Sequence, residues 1–182
     1  MRFTKTDIPD VVIIEPDVFR DDRGWFMESF NEHKFHAGLK DLGQNNLKPF
    51  VQDNHSCSDK GVLRGLHFQK APTAQGKLVH VTQGAVFDVA VDIRPESTTF
   101  GKWVGIELTG ENKKQVWIPE GFAHGFLVLE NNTHFHYKTT NFYEPRDEGA
   151  IIWSDVTLAI DWPNIGQLKI GKKDKEANCF GV

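Results

Sequence analysis

The sequence predicts an all-β protein, a sandwich or jelly roll with short peripheral helices. Three observations carry that expectation. Roughly ten short segments rich in β-branched and aromatic residues follow one another at even spacing. Glycine marks many of the junctions, at Gly61, Gly84, Gly101, Gly110 and Gly121. One segment, Ala85–Ile93, alternates cleanly: Ala85, Phe87, Val89, Val91 and Ile93 share one face and Asp88 and Asp92 the other.

In chain order, Val11–Glu15 is a β-branched run bounded by Pro9 and Pro16, and Trp25–Phe30 follows the Asp22-Arg23-Gly24 turn. Asn31–Gly38 is the clearest helix, with Asn31 as its cap. Further strands are expected at Phe50–Ser56, Val62–Phe68, Lys77–Gln83, Trp103–Leu108, Gln115–Ile118, Gly125–Leu129, Thr133–Thr139 and Ala150–Trp153. The tail after Asp161 is less regular and suits short helices. No repeat, linker or low-complexity stretch divides the chain, and 182 residues suit a single domain spanning 1–182.

Bulk composition narrows the functional classes. A hydrophobic fraction of 39% supports a real core, and a net charge of -4 argues against a broad nucleic-acid surface. A small acidic ligand needs only a local cluster of Arg and Lys. The two cysteines, Cys57 and Cys179, fit no metal spacing and read as free thiols. The segment MRFTKTDIPD has no apolar signal-peptide core, and no run approaches the ~20 apolar residues of a membrane span. A cytoplasmic location is therefore expected.

Chemistry concentrates in three segments. Gly61-Val-Leu-Arg-Gly-Leu-His-Phe-Gln69 places Arg64 and His67 three apart, so strict alternation would send them to opposite faces. Gly65 between them predicts a bulge that turns both inward. The same residues also fit a solvent-facing Arg64 and a packed His67. Pro119-Glu-Gly-Phe-Ala-His124 has the Pro-x-Gly-x-x-His form of the second cupin motif, a tight turn presenting His124 at a cavity mouth. The first motif of metal cupins would need His-x-His and a downstream Glu, but the chain reads His67-Phe68-Gln69, so no metal is expected. His33, His36, His55, His80, His134 and His136 form no tight cluster by this reading. In the third segment Phe135 and Tyr137 share a face, and a cavity-facing Tyr137 either donates a proton or only packs. Arg23, Arg64 and Lys77 would make a phosphate-binding cluster if brought together, and no Gly-x-Gly-x-x-Gly or P-loop lysine is present.

These segments, with Asp22-Arg-Gly-Trp-Phe-Met-Glu28, Phe50-Val-Gln-Asp-Asn-His-Ser56, Gln75-Gly-Lys-Leu-Val79, Val86–Arg94 and Tyr137-Lys-Thr-Thr140, appear in one order over nearly the whole chain. In this the sequence resembles the dTDP-4-dehydrorhamnose 3,5-epimerase family. The resemblance implies a cofactor-free cupin-type jelly roll (double-stranded β-helix) that forms homodimers and epimerises a nucleotide-linked 4-keto sugar. It implies His67 as general base, Tyr137 as opposing acid and Lys77 beside the C4 oxygen. Asp174 would orient His67, with Asp88 as the alternative carboxylate. Arg23, Glu28, Gln52, Asp53, Asn54, Arg64, His124, Glu148 and Lys173 match positions lining the nucleotide-sugar site, and Phe142 would stack on the thymine. The alternatives are an epimerase acting at C3 or C5 alone and a non-catalytic sugar-binding cupin. No membrane or nucleic-acid partner is implied.

Overall fold

The computed structural model describes residues 1–181; Val182, the last residue of the predicted domain, lies outside the described residues. Two antiparallel sheets face each other. The first joins β1 (Arg2–Lys5), β2 (Val12–Glu15), β10 (Gln115–Ile118), β7 (Lys77–Gln83), β12 (Thr133–Thr139) and β5 (Gln52–Ser58) in that spatial order. The second runs β13 (Glu148–Ala150), β6 (Val62–Gln69), β11 (Phe122–Val128), β8 (Ala85–Asp92) and β9 (Trp103–Thr109), with β14 (Lys169–Ile170) added parallel to β6. This is the expected jelly roll. A separate hairpin of β3 (Val18–Asp21) and β4 (Gly24–Met27) stands off both sheets.

Alternation decides what each strand buries. Val79, Val81, Val116, Ile118 and Phe135 of the first sheet meet Val86, Ala90, Leu108, Phe122, Phe126 and Val128 of the second. Full burial of such a side chain contributes roughly 1.5–3 kcal/mol. The outer face of the first sheet is covered by α1 (Glu32–Asp41), whose Phe35 and Leu39, four apart, pack on Val12, Ile14, Leu78 and Trp117. Asn31 caps this helix as expected, accepting the Lys34 N–H at 3.1 Å, and the helix runs three residues beyond the predicted Gly38.

The outer face of the second sheet is also covered, so β8 (Ala85–Asp92) is buried on both faces. Leu66, Val89, Val91 and Ala123 lie under Ile151, Leu158, Trp162 and Phe180 of the C-terminal segment. The Asp155 carboxylate pins that segment by accepting backbone N–H groups of Thr157, Leu158 and Phe180. The segment includes α2 (Lys172–Lys175), the short helix expected in the tail.

The predicted bulge lies in β6. Its pairing with β11 shifts between His124↔His67 and Phe126↔Arg64, so two residues on β6 oppose one on β11. Gly65 has φ +124°, and a Cβ there would meet the Gly125 Cα at 2.5 Å. Only glycine fits that conformation and that approach.

The histidines correct the sequence reading. His55, His80, His134 and His136 form a row across β5, β12 and β7 on the open part of the first sheet's outer face. His136 is in register with both His55 and His80, and its ring stacks on theirs at 3.9 and 5.3 Å. His55 Nε2 lies 2.9 Å from His134 Nδ1. Spacing along one strand could not show this, because the row is built across three. Burial pushes His80 down to about 4, helped by nearby His136 and Lys138, and burial with neighbouring His55 and His134 lowers His136. Both rings bind fewer protons folded than unfolded. The stability this gives is complete above the ordinary histidine value of about 6.5 and falls as pH drops below it; for His80 the loss continues down to about 4. Urea unfolding at pH 7 and pH 4.5 should therefore show a larger loss in the native chain than in His80→Gln, by on the order of 2 kcal/mol. Equal losses would contradict this account of the row.

Candidate active site

Between the sheets, at the end not filled by the core, lies a cavity of about 350 Å³. Its floor is the Phe126–Phe135 stack, with ring centroids 4.0 Å apart. The first sheet supplies Asn54, Ser56, Lys77 and Tyr137; the second supplies Arg64, His67, Gln69, His124 and Glu148. The bulge at Gly65 is what puts both Arg64 and His67 on this wall.

His67 Nε2 lies 2.5 Å from Asp174 Oδ1. Asp174 is buried and is delivered by α2, which follows directly from the β14–β6 pairing. The other carboxylate weighed for this position, Asp88, is bonded instead to His124 Nε2 at 2.7 Å. Burial pushes His67 below its ordinary value, opposed by the Asp174 carboxylate and reinforced by Lys77. The ring is thus neutral at neutral pH, and with Nε2–H donated to Asp174 its Nδ1 is a free base.

Tyr137 is raised above its usual value by burial, so its hydroxyl keeps its proton. Burial brings the Lys77 ammonium down to about 8, against the pull of Asp88 and Glu148. Its one hydrogen bond is a long one, 3.4 Å, to the His67 carbonyl. Glu148 accepts the Tyr143 hydroxyl at 2.8 Å and pairs with Lys173. Burial alone would raise this carboxyl; Lys173 and Tyr143 outweigh it and hold Glu148 below its usual range. Arg64 donates to Ser58 Oγ at 3.1 Å and leaves the cavity with a fixed positive charge.

Other residues lie elsewhere. Gln52 stands one layer out, donating to Asn54 Oδ1 and accepting the Tyr143 N–H. Asp53 points to the opposite face of β5, where it pairs with Lys138 at 2.8 Å, because side chains alternate along the strand. Arg23 and Glu28 sit on and just after the projecting hairpin, paired with Asp21 and Lys34, and do not line the cavity of their own chain. The three-way cluster of Arg23, Arg64 and Lys77 is therefore not formed within one chain; Arg64 and Lys77 alone meet. Lys173 is half-exposed behind Glu148, in a neighbouring groove.

The aromatic position is also corrected. Phe142 is 64% exposed and absent from the wall; Tyr143 lines it. The Tyr143 N–H is held by Gln52 and its hydroxyl by Glu148, which turns this ring, not its neighbour's, onto the cavity. Ser56 and Gln75 are wall residues that the sequence reading missed. Alternation from Asn54 would have found Ser56; Gln75 lies outside any strand and gave no such signal. Among the described residues, no group of three His, Cys, Asp or Glu is placed to hold a metal ion. The stacked histidine row is no exception, since parallel rings do not aim their nitrogens at a common point.

Such a cavity, with a buried base on one sheet, a protonated phenol on the other and cations nearby, suits proton abstraction and return beside a carbonyl. The family model described as dTDP-4-dehydrorhamnose 3,5-epimerase matches residues 5–181. The dTDP-4-dehydrorhamnose 3,5-epimerase of Escherichia coli (strain K12) is 56% identical over 175 residues, covering 96% of this chain and 92% of its own. The dTDP-6-deoxy-D-glucose-3,5-epimerase of Legionella pneumophila Philadelphia 1, solved in complex with dTDP-4-keto-L-rhamnose, has a TM-score of 0.93 at 50% identity, covering 100% of this chain and 93% of that one. A 3'-monoepimerase from Streptomyces bikiniensis, solved with dTDP-quinovose, has a TM-score of 0.88 at 28% identity, over 99% of this chain and 87% of that one.

Proposed function

Because the chain belongs to the dTDP-4-dehydrorhamnose 3,5-epimerase family, we propose that His67 and Tyr137 are the opposed base and acid of an isomerase that inverts C3 and C5 of dTDP-4-dehydro-6-deoxy-D-glucose. The product is dTDP-4-dehydro-L-rhamnose, and the step belongs to dTDP-L-rhamnose biosynthesis. The observation that carries the assignment is the Asp174-held His67 on one sheet facing a cavity whose other wall holds Tyr137 and Lys77.

The hydrogens at C3 and C5 are both alpha to the C4 ketone. His67 Nδ1 removes one of them, and the electron pair moves to the C4 oxygen as an enolate. The Asp174 carboxylate fixes the imidazole tautomer and stabilises the imidazolium that forms. Lys77 donates to the developing oxyanion, an effect often worth about 3–4 kcal/mol per donor. Tyr137 returns a proton to the opposite face, which inverts the carbon. No cofactor is required, because the ketone is the electron sink. Arg64 would hold the diphosphate, whose remote binding energy keeps the ring between the acid and the base. Tyr143, rather than Phe142, is placed to stack on the base.

A homodimer completes this reading. Arg23 and Glu28 match nucleotide-sugar positions yet do not reach their own cavity, and the hairpin bearing Arg23 exposes Phe19, Trp25 and Phe26 by half or more. The hairpin would insert into a partner subunit's site. The exposed free thiols of Cys57 and Cys179 suit a cytoplasmic enzyme.

In deuterated water, NMR should show label entering the sugar at both C3 and C5, and His67→Ala should lower turnover by ~10²–10⁴-fold while largely keeping dTDP affinity. Label at one carbon would make the chain a mono-epimerase, and near-normal turnover in His67→Ala would remove the base assignment. Arg23→Ala and His67→Ala, each nearly inactive alone, should regain activity when unfolded and refolded together, since a mixed dimer then has one intact site. Absence of any recovery despite mixed dimers would place Arg23 in its own chain's site.

A further inference from the structure

Gln69 closes β6 on the cavity wall and is 7% exposed, yet it has no part in the proton transfers above. An amide side chain offers two N–H donors and one carbonyl oxygen. Here both kinds are spent on backbone. Nε2–H donates to the Phe142 carbonyl at 3.0 Å and also to the Thr73 carbonyl, and Oε1 accepts the Glu144 N–H at 2.9 Å. Phe142 and Glu144 are the two neighbours of Tyr143 in the chain.

Resting on the reading above, in which Tyr143 stacks on the base, we propose that Gln69 is a positioning residue: by holding both peptides that flank Tyr143, it fixes that ring where the base of the nucleotide meets it.

The geometry follows from planar peptides. The peptide joining Phe142 to Tyr143 is held from both sides, its carbonyl by Gln69 and its N–H by Gln52 at 3.0 Å. The next peptide, joining Tyr143 to Glu144, is held through its N–H by Gln69 again. With both planes fixed, φ and ψ of Tyr143 are fixed, and so is the direction of its Cα–Cβ bond. Burial does not do this work: Phe142 is 64% exposed and Tyr143 53%, so the loop has no apolar anchor at this point. The bond to Thr73 ties the same amide to the loop 70–76, where Gln75 Nε2 donates to the Asn141 carbonyl at 2.8 Å. A loop ordered before the ligand arrives loses less entropy on binding, and that gain appears as affinity.

The test compares two competitive inhibitors. dTDP and inorganic pyrophosphate both meet Arg64, and only dTDP has a base for Tyr143. Gln69→Met keeps the length of the side chain and removes its hydrogen bonds. It should weaken dTDP about fivefold or more and leave pyrophosphate within about twofold. KM for the sugar nucleotide should rise with the dTDP constant, and kcat should stay within about threefold. An equal loss of both inhibitors would mark a general loosening, and a fall in kcat with an unmoved inhibitor ratio would place the effect at His67 on the same strand; either overturns the proposal. Gln69→Glu is the second variant, informative even if Gln69→Met does not fold. It keeps an acceptor for the Glu144 N–H and loses both donors, and its charge acts on both diphosphates alike. The ratio should fall again, and an unmoved ratio would overturn the proposal. In a Tyr143→Ala background, Gln69→Met should change the dTDP constant by less than about twofold, because the ring it places is gone; a full further loss would overturn the assignment. Native dTDP affinity in Tyr143→Ala would remove the stacking reading and the proposal with it. A weakened Tyr143→Ala beside a native Gln69→Met would remove the proposal alone, so the two failures are distinguishable.

Discussion

The site depends on one backbone irregularity, the bulge at Gly65. A regular strand would send Arg64 and His67 to opposite faces of the second sheet, one into the cavity and one under the C-terminal segment. The extra residue of β6 opposite Gly125 removes that conflict. It requires a glycine at φ +124° with the Gly125 backbone close enough to exclude any Cβ. The backbone at Arg64 and His67 is then held by strand pairing on both sides of the bulge.

The second constraint is the layered build. The cavity lies between two sheets, so groups carried by opposite sheets meet a bound ring from different sides. The proposed base, His67, comes from one sheet, and the phenol of Tyr137 and the ammonium of Lys77 come from the other. A third layer, the C-terminal segment, carries Asp174 to His67 from outside the cavity. Burial then sets the protonation states needed at neutral pH: a neutral imidazole, a protonated phenol and an ammonium near its limit.

Much of this was legible in the residues. Lys77–Gln83, Gln115–Ile118 and Thr133–Thr139 alternate or carry β-branched runs, and they form strands at the expected boundaries. Gly65 announced its bulge because a glycine inside a strand pattern has few other uses. The hairpin strand β3 and edge strand β1 were missed, since short polar strands have no buried face to pattern them. The pairing of His67 with Asp174 spans 107 residues, and local spacing leaves Asp88 equally eligible. Only the resemblance favoured Asp174, and the geometry then gives each histidine its own carboxylate. The histidine row and Tyr143 share this lesson: alternation assigns a face within a strand, whereas register and loop path decide which faces meet.

The central claim is that inversion needs two groups on opposite walls, so its most direct test separates them. In Tyr137→Phe, His67 remains free to remove and exchange the protons at C3 and C5 in deuterated water, but the opposite face has no donor. The account predicts that solvent label still enters the sugar while formation of the L-configured product falls by about 10²-fold or more. Inverted product at the native rate from Tyr137→Phe would contradict it.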